Sequence, residues 1–110
     1  MPIDISHSKK DLVSIKPARS SKAEKIINDV KKIIINENCS SLILDLSSFN
    51  LFDSIRVGTI IATYHFVQFM NGKIYIVVQD SLAKKTIENF KLRNATVVIS
   101  REKQAIYNIA

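Results

Sequence analysis

The sequence predicts one α/β domain with a mixed, mostly parallel sheet of about four to five strands and about four helices. Its 110 residues are 46% hydrophobic and 24% charged, which is the size and balance of a single globular domain. Short apolar runs recur without polar alternation, as in parallel strands buried on both faces. Segments with helical periodicity lie between these runs, as in units where a helix connects two parallel strands.

The first third predicts two strands and a helix. The strands lie at 3–6 and 11–16, and Pro17 ends the second because proline cannot donate to a sheet. A capping-box pattern begins at Ser21 and predicts a helix over 22–36. One stripe of that helix is apolar; it consists of Ala23, Ile26, Ile27, Val30, Ile33 and Ile34.

The remainder predicts three further strands, at 42–46, 73–78 and 95–99, each buried on both faces. Helical patterns follow them at about 54–70, about 81–91 and 101–109. Asn71-Gly72 ends the first of these helices. Asp80 or Ser81 caps the second, and Ser100 caps the third.

The segment with the most chemical content joins the strand at 42–46 to the following helix. The strand ends at Asp45, and the helix is predicted to begin at Asp53-Ser54. Ligands and partners of open α/β sheets gather at the carboxyl ends of strands. A serine at a helix N-terminus also lies beside unpaired N–H groups that stabilise phosphate. The simpler interpretation is that both residues are helix caps.

The helix at 54–70 has two apolar stripes, although packing on a core requires only one. The second stripe indicates either deeper burial or an interface, and removing Phe66 or Phe69 is then expected to weaken partner binding without lowering stability. The first stripe contains Val57, Ile60, Ile61, Tyr64, Val67 and Gln68. The second contains Ile55, Ala62, Phe66 and Phe69.

Several classes of function are not expected. The single cysteine, Cys39, excludes an intramolecular disulfide and a multi-cysteine zinc site. No Gly-rich phosphate loop, metal-ligand spacing or nucleophile–base pair is recognisable, so neither an enzyme nor a cofactor or metal is predicted. We expect His65 on the surface or half-buried. The N-terminus does not resemble a signal peptide, and no uncharged stretch reaches the roughly 20 residues of a membrane span, so a soluble cytoplasmic protein is expected.

The net charge of +6 is concentrated towards the two ends of the sequence. Lysines at helical spacings favour a solvated surface, and no direct nucleic-acid partner is expected. A basic nucleic-acid-binding domain is the third alternative, and it predicts a steep loss of affinity with salt.

Two motifs carry a resemblance to a known family. Leu44-Asp45-Leu46-Ser47 at the end of a strand, and Asp53-Ser54-Ile55-Arg56-Val57-Gly58 at the start of a helix, resemble the STAS domain of anti-sigma factor antagonists. The family pattern is L-D-L-S followed by D-S-S-G-L-G. The order of elements also matches over nearly the whole chain, with Asn71-Gly72-Lys73 leading into a strand.

The resemblance implies partner switching. In that family a partner that is both serine kinase and anti-sigma factor phosphorylates the serine after the aspartate, and a metal-dependent phosphatase resets it. Ser54 is then the phosphoryl acceptor. The implied partner surface consists of Phe52, Asp53, Ile55, Arg56, Thr59, Ala62 and Phe66. The alternative is an unphosphorylated STAS subunit that docks on a transport ATPase for lipids or ions.

The motif departs from the family pattern at two positions. Ile55 replaces the second serine, and Arg56 replaces the first glycine. Arg56 either pairs with a phosphate on Ser54 or obstructs a kinase that requires a small residue there. Lys16-Pro17-Ala18-Arg19 stands where the family has G-E-L-D.

Overall fold

The computed structural model describes residues 3–8, 12–18, 22–90 and 96–101. The predicted alternation of strands and helices is confirmed there. Apart from residue 101, the predicted helix at 101–109 lies outside the described residues, which contain three helices. The elements in chain order are β1 (Ile3–Ser8), β2 (Leu12–Pro17), α1 (Ala23–Asn36), β3 (Ser41–Asp45), α2 (Leu51–Gln68), β4 (Lys73–Val78), α3 (Ser81–Glu88) and β5 (Thr96–Ser100).

The five strands form one sheet in the order β1-β2-β3-β4-β5. β1 runs antiparallel to β2, and the other three pairings are parallel. The predicted mixed, mostly parallel α/β sheet is therefore confirmed. Since β2 to β5 are neighbours in chain order, right-handed crossovers place all three helices on the same face, where α1 packs against α2 and α2 against α3.

The prediction that strands are buried on both faces is wrong. Burial alternates along β3 and β4, so that Leu42, Leu44, Ile74 and Ile76 face the helices and are fully buried. Tyr75, like the other residues on the opposite face, is only half-buried. Apolar residues on both faces of a strand are thus compatible with a sheet that the described helices cover on one side only.

Helix α1 has the predicted apolar stripe, and five of its residues are buried against the sheet and α2. The predicted cap residue Ser21 lies outside the described residues, and Lys22 occupies the N-cap position without a side-chain cap bond. Beyond Asn36 the chain turns through Asn38, whose φ of 50° lies in the left-handed region that asparagine tolerates.

Helix α2 begins three residues before the predicted start at 54, because Asn50 is its N-cap. The side-chain oxygen of Asn50 accepts a hydrogen bond from the backbone N–H of Asp53 at 2.8 Å. Asp53 and Ser54 are thus the third and fourth residues inside the helix, and neither is its cap.

Candidate functional site

The candidate site is the loop from β3 to α2 at the carboxyl edge of the sheet. Asp45 orders the start of the loop, because its Oδ1 accepts hydrogen bonds from the Ser47 N–H at 3.0 Å and the Ser47 hydroxyl at 2.6 Å. Its other carboxylate oxygen lies 3.5 Å from the Arg101 guanidinium. The Leu46 N–H donates to the Val77 carbonyl at 2.7 Å, which extends the β3–β4 pairing by one residue.

The loop then forms a tight turn over the first turns of α2. The Phe49 N–H donates to the Leu46 carbonyl at 3.0 Å, and the Phe49 ring is buried. The buried side chains of Leu46 and Phe49 anchor the loop in the core, so the loop covers the side chains of α2 that lie beneath it.

Ser54 lies beneath this loop and is only 1% exposed. Its hydroxyl lies 3.4 Å from the carbonyl oxygens of both Leu46 and Phe49. Its backbone N–H donates to the Asn50 carbonyl at 3.0 Å, as in any helix interior. The N–H of Ser54 is therefore already bonded within the helix and is not one of the unpaired N–H groups at its N-terminus.

The two residues before Ser54 face outwards. The Phe52 ring is 79% exposed, and Asp53 is half-buried. Next to them is an open cleft of about 460 Å³, which the loop and the end of β4 line together. The lining residues are Ser47, Ser48, Phe49, Asn50, Asp53 and Gln79.

The side chains of the two residues after Ser54 point in different directions. Ile55 is half-buried and packs against the core, whereas Arg56 is exposed and pairs with Glu24 of α1 across 3.3 Å. Both side chains of this pair are mostly exposed, so the pair contributes little to stability. Residues two apart on a helix point in nearly opposite directions. In this conformation Arg56 therefore faces away from the Ser54 hydroxyl and does not serve as its phosphate partner.

Three predicted partner residues lie further along α2. Thr59 is half-buried, and its hydroxyl donates to the Ile55 carbonyl at 2.8 Å. Phe66 is half-buried. Ala62 is only 2% exposed, so its assignment to a contact surface is wrong: it faces the core. Phe69 also packs against the core and contacts His65 in a tilted arrangement, with ring centroids 5.3 Å apart, so it is not a freely removable surface ring.

The first predicted apolar stripe of α2 contains both exposed and fully buried residues, so its prediction as one face is wrong. Ile60 and Val67 are exposed, while Val57 and Ile61, which belong to the same predicted stripe, are fully buried. All four residues follow the spacing i, i+3, i+4, i+7 and so on, so the spacing alone does not separate the buried edge of the stripe from its exposed edge. The outward set comprises Ile60, Thr63, Tyr64 and Val67.

His65 lies at the other end of α2 and is fully buried, which contradicts the expected surface or half-buried position. Its Nε2 lies 2.7 Å from the Cys39 carbonyl oxygen, so Nε2 carries the proton and donates. Its Nδ1 is buried and has no partner among the described residues. Burial lowers the pKa of His65 below its usual 6.5, so the ring is held neutral.

The Cys39 thiol is not an activated nucleophile. Burial, and secondly the nearby Glu37 carboxylate, raise its pKa to about 11, so the thiol is protonated at neutral pH. Cys39 and His65 are both remote from Ser54, since His65 is eleven residues, or about 16 Å, further along the helix. Ser54 thus has neither residue as a general base.

Within ranges 3–8, 12–18, 22–90 and 96–101 no group of three His, Cys, Asp or Glu side chains is arranged to hold a metal ion. In the same ranges no helix is both long and apolar enough to cross a bilayer.

The sequence was also compared with known proteins. No protein-family model matches the chain, and a search of curated proteins gives no match either.

Proposed function

We propose that this chain is a regulatory binding protein of the anti-sigma factor antagonist type, with a STAS-type fold, in which Ser54 is the phosphoryl acceptor. One observation carries the proposal: Asp53 and Ser54 occupy the first turns of α2 at the carboxyl edge of a mostly parallel sheet. That is the position the resemblance requires. The implied partners are a serine kinase that is also an anti-sigma factor and a metal-dependent serine phosphatase, and the proposed location is the cytoplasm.

The contact surface of this proposal surrounds the start of α2. Phe52 supplies an apolar ring that is 79% exposed, so a partner can bury most of its surface. Asp53 and the open cleft beside it supply polar groups. Arg56 lies one turn further on and supplies a charge whose existing pair with Glu24 is weak enough to exchange.

The buried position of Ser54 gives the proposed switch its mechanism. A kinase reaches the hydroxyl only when loop residues 46–50 move away from it. A phosphoryl group adds about 1.5–2 negative charges, and the closed site presents the carbonyl oxygens of Leu46 and Phe49 at 3.4 Å. Because these oxygens repel an anion, the loop cannot close again over phosphoserine. Phosphorylation therefore remodels the surface beside Phe52 and releases the partner.

A second candidate function keeps the fold and omits the modification. In it the chain is a STAS subunit that docks on a transport ATPase and is not phosphorylated. The 1% exposure of the Ser54 side chain favours this candidate, because a serine buried under loop carbonyls is also a structural residue.

A capture experiment from a lysate of the native cells distinguishes the two candidates. The wild-type chain, Ser54→Asp and Phe52→Ala serve as baits, and mass spectrometry identifies the bound proteins. Asn28→Asp is the matched control, since it adds the same charge at an exposed position of α1. Thermal unfolding of each bait establishes that it is folded.

The proposal predicts a serine kinase of the anti-sigma type on the wild-type and Asn28→Asp baits. The same kinase is lost from Ser54→Asp and from Phe52→Ala. A transport ATPase held equally by wild type and Ser54→Asp would instead establish the docking-subunit function. Capture of the kinase by a folded Ser54→Asp bait at wild-type level would refute the switch.

A further inference from the structure

A groove lies along the outward stripe of α2, away from the β3–α2 loop. Its volume is about 600 Å³, and its walls are formed by Lys31 of α1 and by Phe90, which lies two residues beyond the end of α3. We call it the outer groove. It is lined by Lys31, Thr59, Ile60, Thr63, Tyr64, Val67, Gln68 and Phe90.

The floor of the outer groove is apolar although it contains two threonines. The Thr59 hydroxyl donates to the Ile55 carbonyl at 2.8 Å, and the Thr63 hydroxyl donates to the Thr59 carbonyl at 2.9 Å. With both hydroxyls satisfied within α2, the threonines need no polar partner. They add to Ile60 and Val67 in a surface about two helical turns long.

Three large apolar side chains that line the outer groove are exposed. Val67 is 65% exposed, Phe90 is 57% exposed and Ile60 is 36% exposed. Single exposed apolar side chains are ordinary, but three that line one groove form a contiguous patch of the kind that marks an interface.

The groove favours a helix over an extended strand as its occupant. A strand binds by adding to an open sheet edge through main-chain hydrogen bonds, whereas the backbone N–H groups along α2 are already bonded within the helix. An amphipathic helix needs only side-chain contacts, and its apolar residues at i, i+3, i+4 and i+7 match the spacing of the stripe on α2.

The charges beside the outer groove favour an acidic helix over a basic one. Lys31 is the one ionisable lining residue with a charge at neutral pH, and its ammonium lies 5.1 Å from the centre of the Tyr64 ring. Among the described residues it has no carboxylate within ion-pair distance. Arg56 lies one turn before Ile60 on α2, and its exposed pair with Glu24 is readily exchanged. Both cations can therefore form ion pairs with carboxylates of a helix that binds in the groove.

We propose that the outer groove is a docking site for an acidic amphipathic helix of a partner protein, with Ile60, Val67 and Phe90 as the apolar contacts and Lys31 and Arg56 as the charge contacts. This inference goes beyond the proposed phosphorylation switch, because Ser54 points inwards on α2 and the groove faces outwards. The groove therefore remains available whether or not Ser54 is modified.

The test uses two synthetic helical peptides as probes. Both carry leucine at i, i+3, i+4 and i+7; one has glutamate at its flanking positions, and the other has lysine there. Fluorescence anisotropy measures binding to the full chain, and amide chemical-shift mapping locates the site. The expected result is binding of the glutamate peptide with shifts at α2, α1 and the end of α3, and at least roughly tenfold weaker binding of the lysine peptide.

Matched variants test the individual contacts. Val67→Ala is expected to weaken binding of the glutamate peptide roughly tenfold, since apolar anchors at the centre of an interface dominate affinity. Lys31→Glu should weaken it about fivefold. Leu82→Ala is the control, because Leu82 is 57% exposed on α3 but does not line the groove. It should leave the affinity unchanged.

Four outcomes would overturn this proposal. They are equal binding of the two peptides, shifts confined to the uncovered face of the sheet, no binding at about 1 mM peptide, or a concentration-dependent dimer that buries the groove against a second copy. None of them bears on Ser54, so failure here is distinguishable from failure of the proposed switch.

Discussion

Two substitutions of Ser54 should have very different effects on stability. Ser54→Ala removes one hydroxyl proton, which faces two carbonyl oxygens at 3.4 Å, a distance beyond the usual range for hydroxyl donors. A hydrogen bond of this length contributes at most about 0.5 kcal/mol. Alanine also favours the helix interior over serine by about 0.5 kcal/mol. The free energy of unfolding should therefore change by less than about 1 kcal/mol.

Ser54→Asp places a carboxylate at a site that is 1% exposed and faces two carbonyl oxygens. An unpaired buried charge costs about 3–5 kcal/mol. That is a large part of the roughly 5–15 kcal/mol stability of a small domain. The loop over residues 46–50 can relieve much of this cost by opening, and hydrogen exchange of its amides should then rise.

Urea unfolding followed by circular dichroism measures both effects. Asn28→Asp serves again as the control, with an expected change within about 0.5 kcal/mol because the position is exposed. If Ser54→Asp is within about 1 kcal/mol of wild type and loop exchange is unchanged, the site tolerates the charge. Phosphorylation of Ser54 would then not remodel the loop.

Four further predictions concern the rest of the fold. Gly72→Ala places a Cβ 2.5 Å from a backbone carbonyl oxygen and should cost about 1–3 kcal/mol in chemical unfolding. In Gly58→Ala the close contact, at 2.8 Å, is only the flexible end of the Ile87 side chain, so the change should be within about 1 kcal/mol because helix propensity offsets it; a loss equal to that of Gly72→Ala would contradict this. Burial lowers the pKa of His65 from 6.5 in the folded chain, so His65 is protonated first in the unfolded chain as the pH falls. The free energy of unfolding should therefore be constant above about pH 6.5 and decrease below it. An equal decrease in His65→Gln would assign this pH dependence to another group. The Cys39 thiol should react with iodoacetamide at neutral pH only after denaturation, and rapid labelling of the native chain would contradict its burial.

Helix and strand types were predictable because their signals are local. The i, i+4 recurrence of Ile26, Val30 and Ile34 indicates the buried stripe of α1 directly. The burial of β3 and β4 on one face was not predictable from their apolar runs. Whether helices cover one or both faces of a sheet depends on the direction of successive crossovers, which is a property of the whole topology.

The orientation of the candidate site was missed for a reason that the sequence contains. Asn50 with Asp53 three residues later is a start signal, and it competes with Asp53-Ser54 for the same helix. With the later start Ser54 is a terminal residue of the helix, whereas with the observed start its N–H is bonded to Asn50 and its hydroxyl lies beneath the loop. The burial of His65 had no local signal, because its partner is the Cys39 carbonyl in a loop far away in sequence.

The most direct test of the central claim is phosphorylation of Ser54 by the captured partner. The wild-type chain and Ser54→Ala, which should fold equally well, are incubated with the captured kinase and ATP and then analysed by tandem mass spectrometry and calorimetry. The account predicts one phosphoryl group on Ser54 of the wild type, none on Ser54→Ala, and loss of partner binding only for the wild type. A partner that binds both chains equally, before and after ATP, and leaves Ser54 unmodified would contradict it.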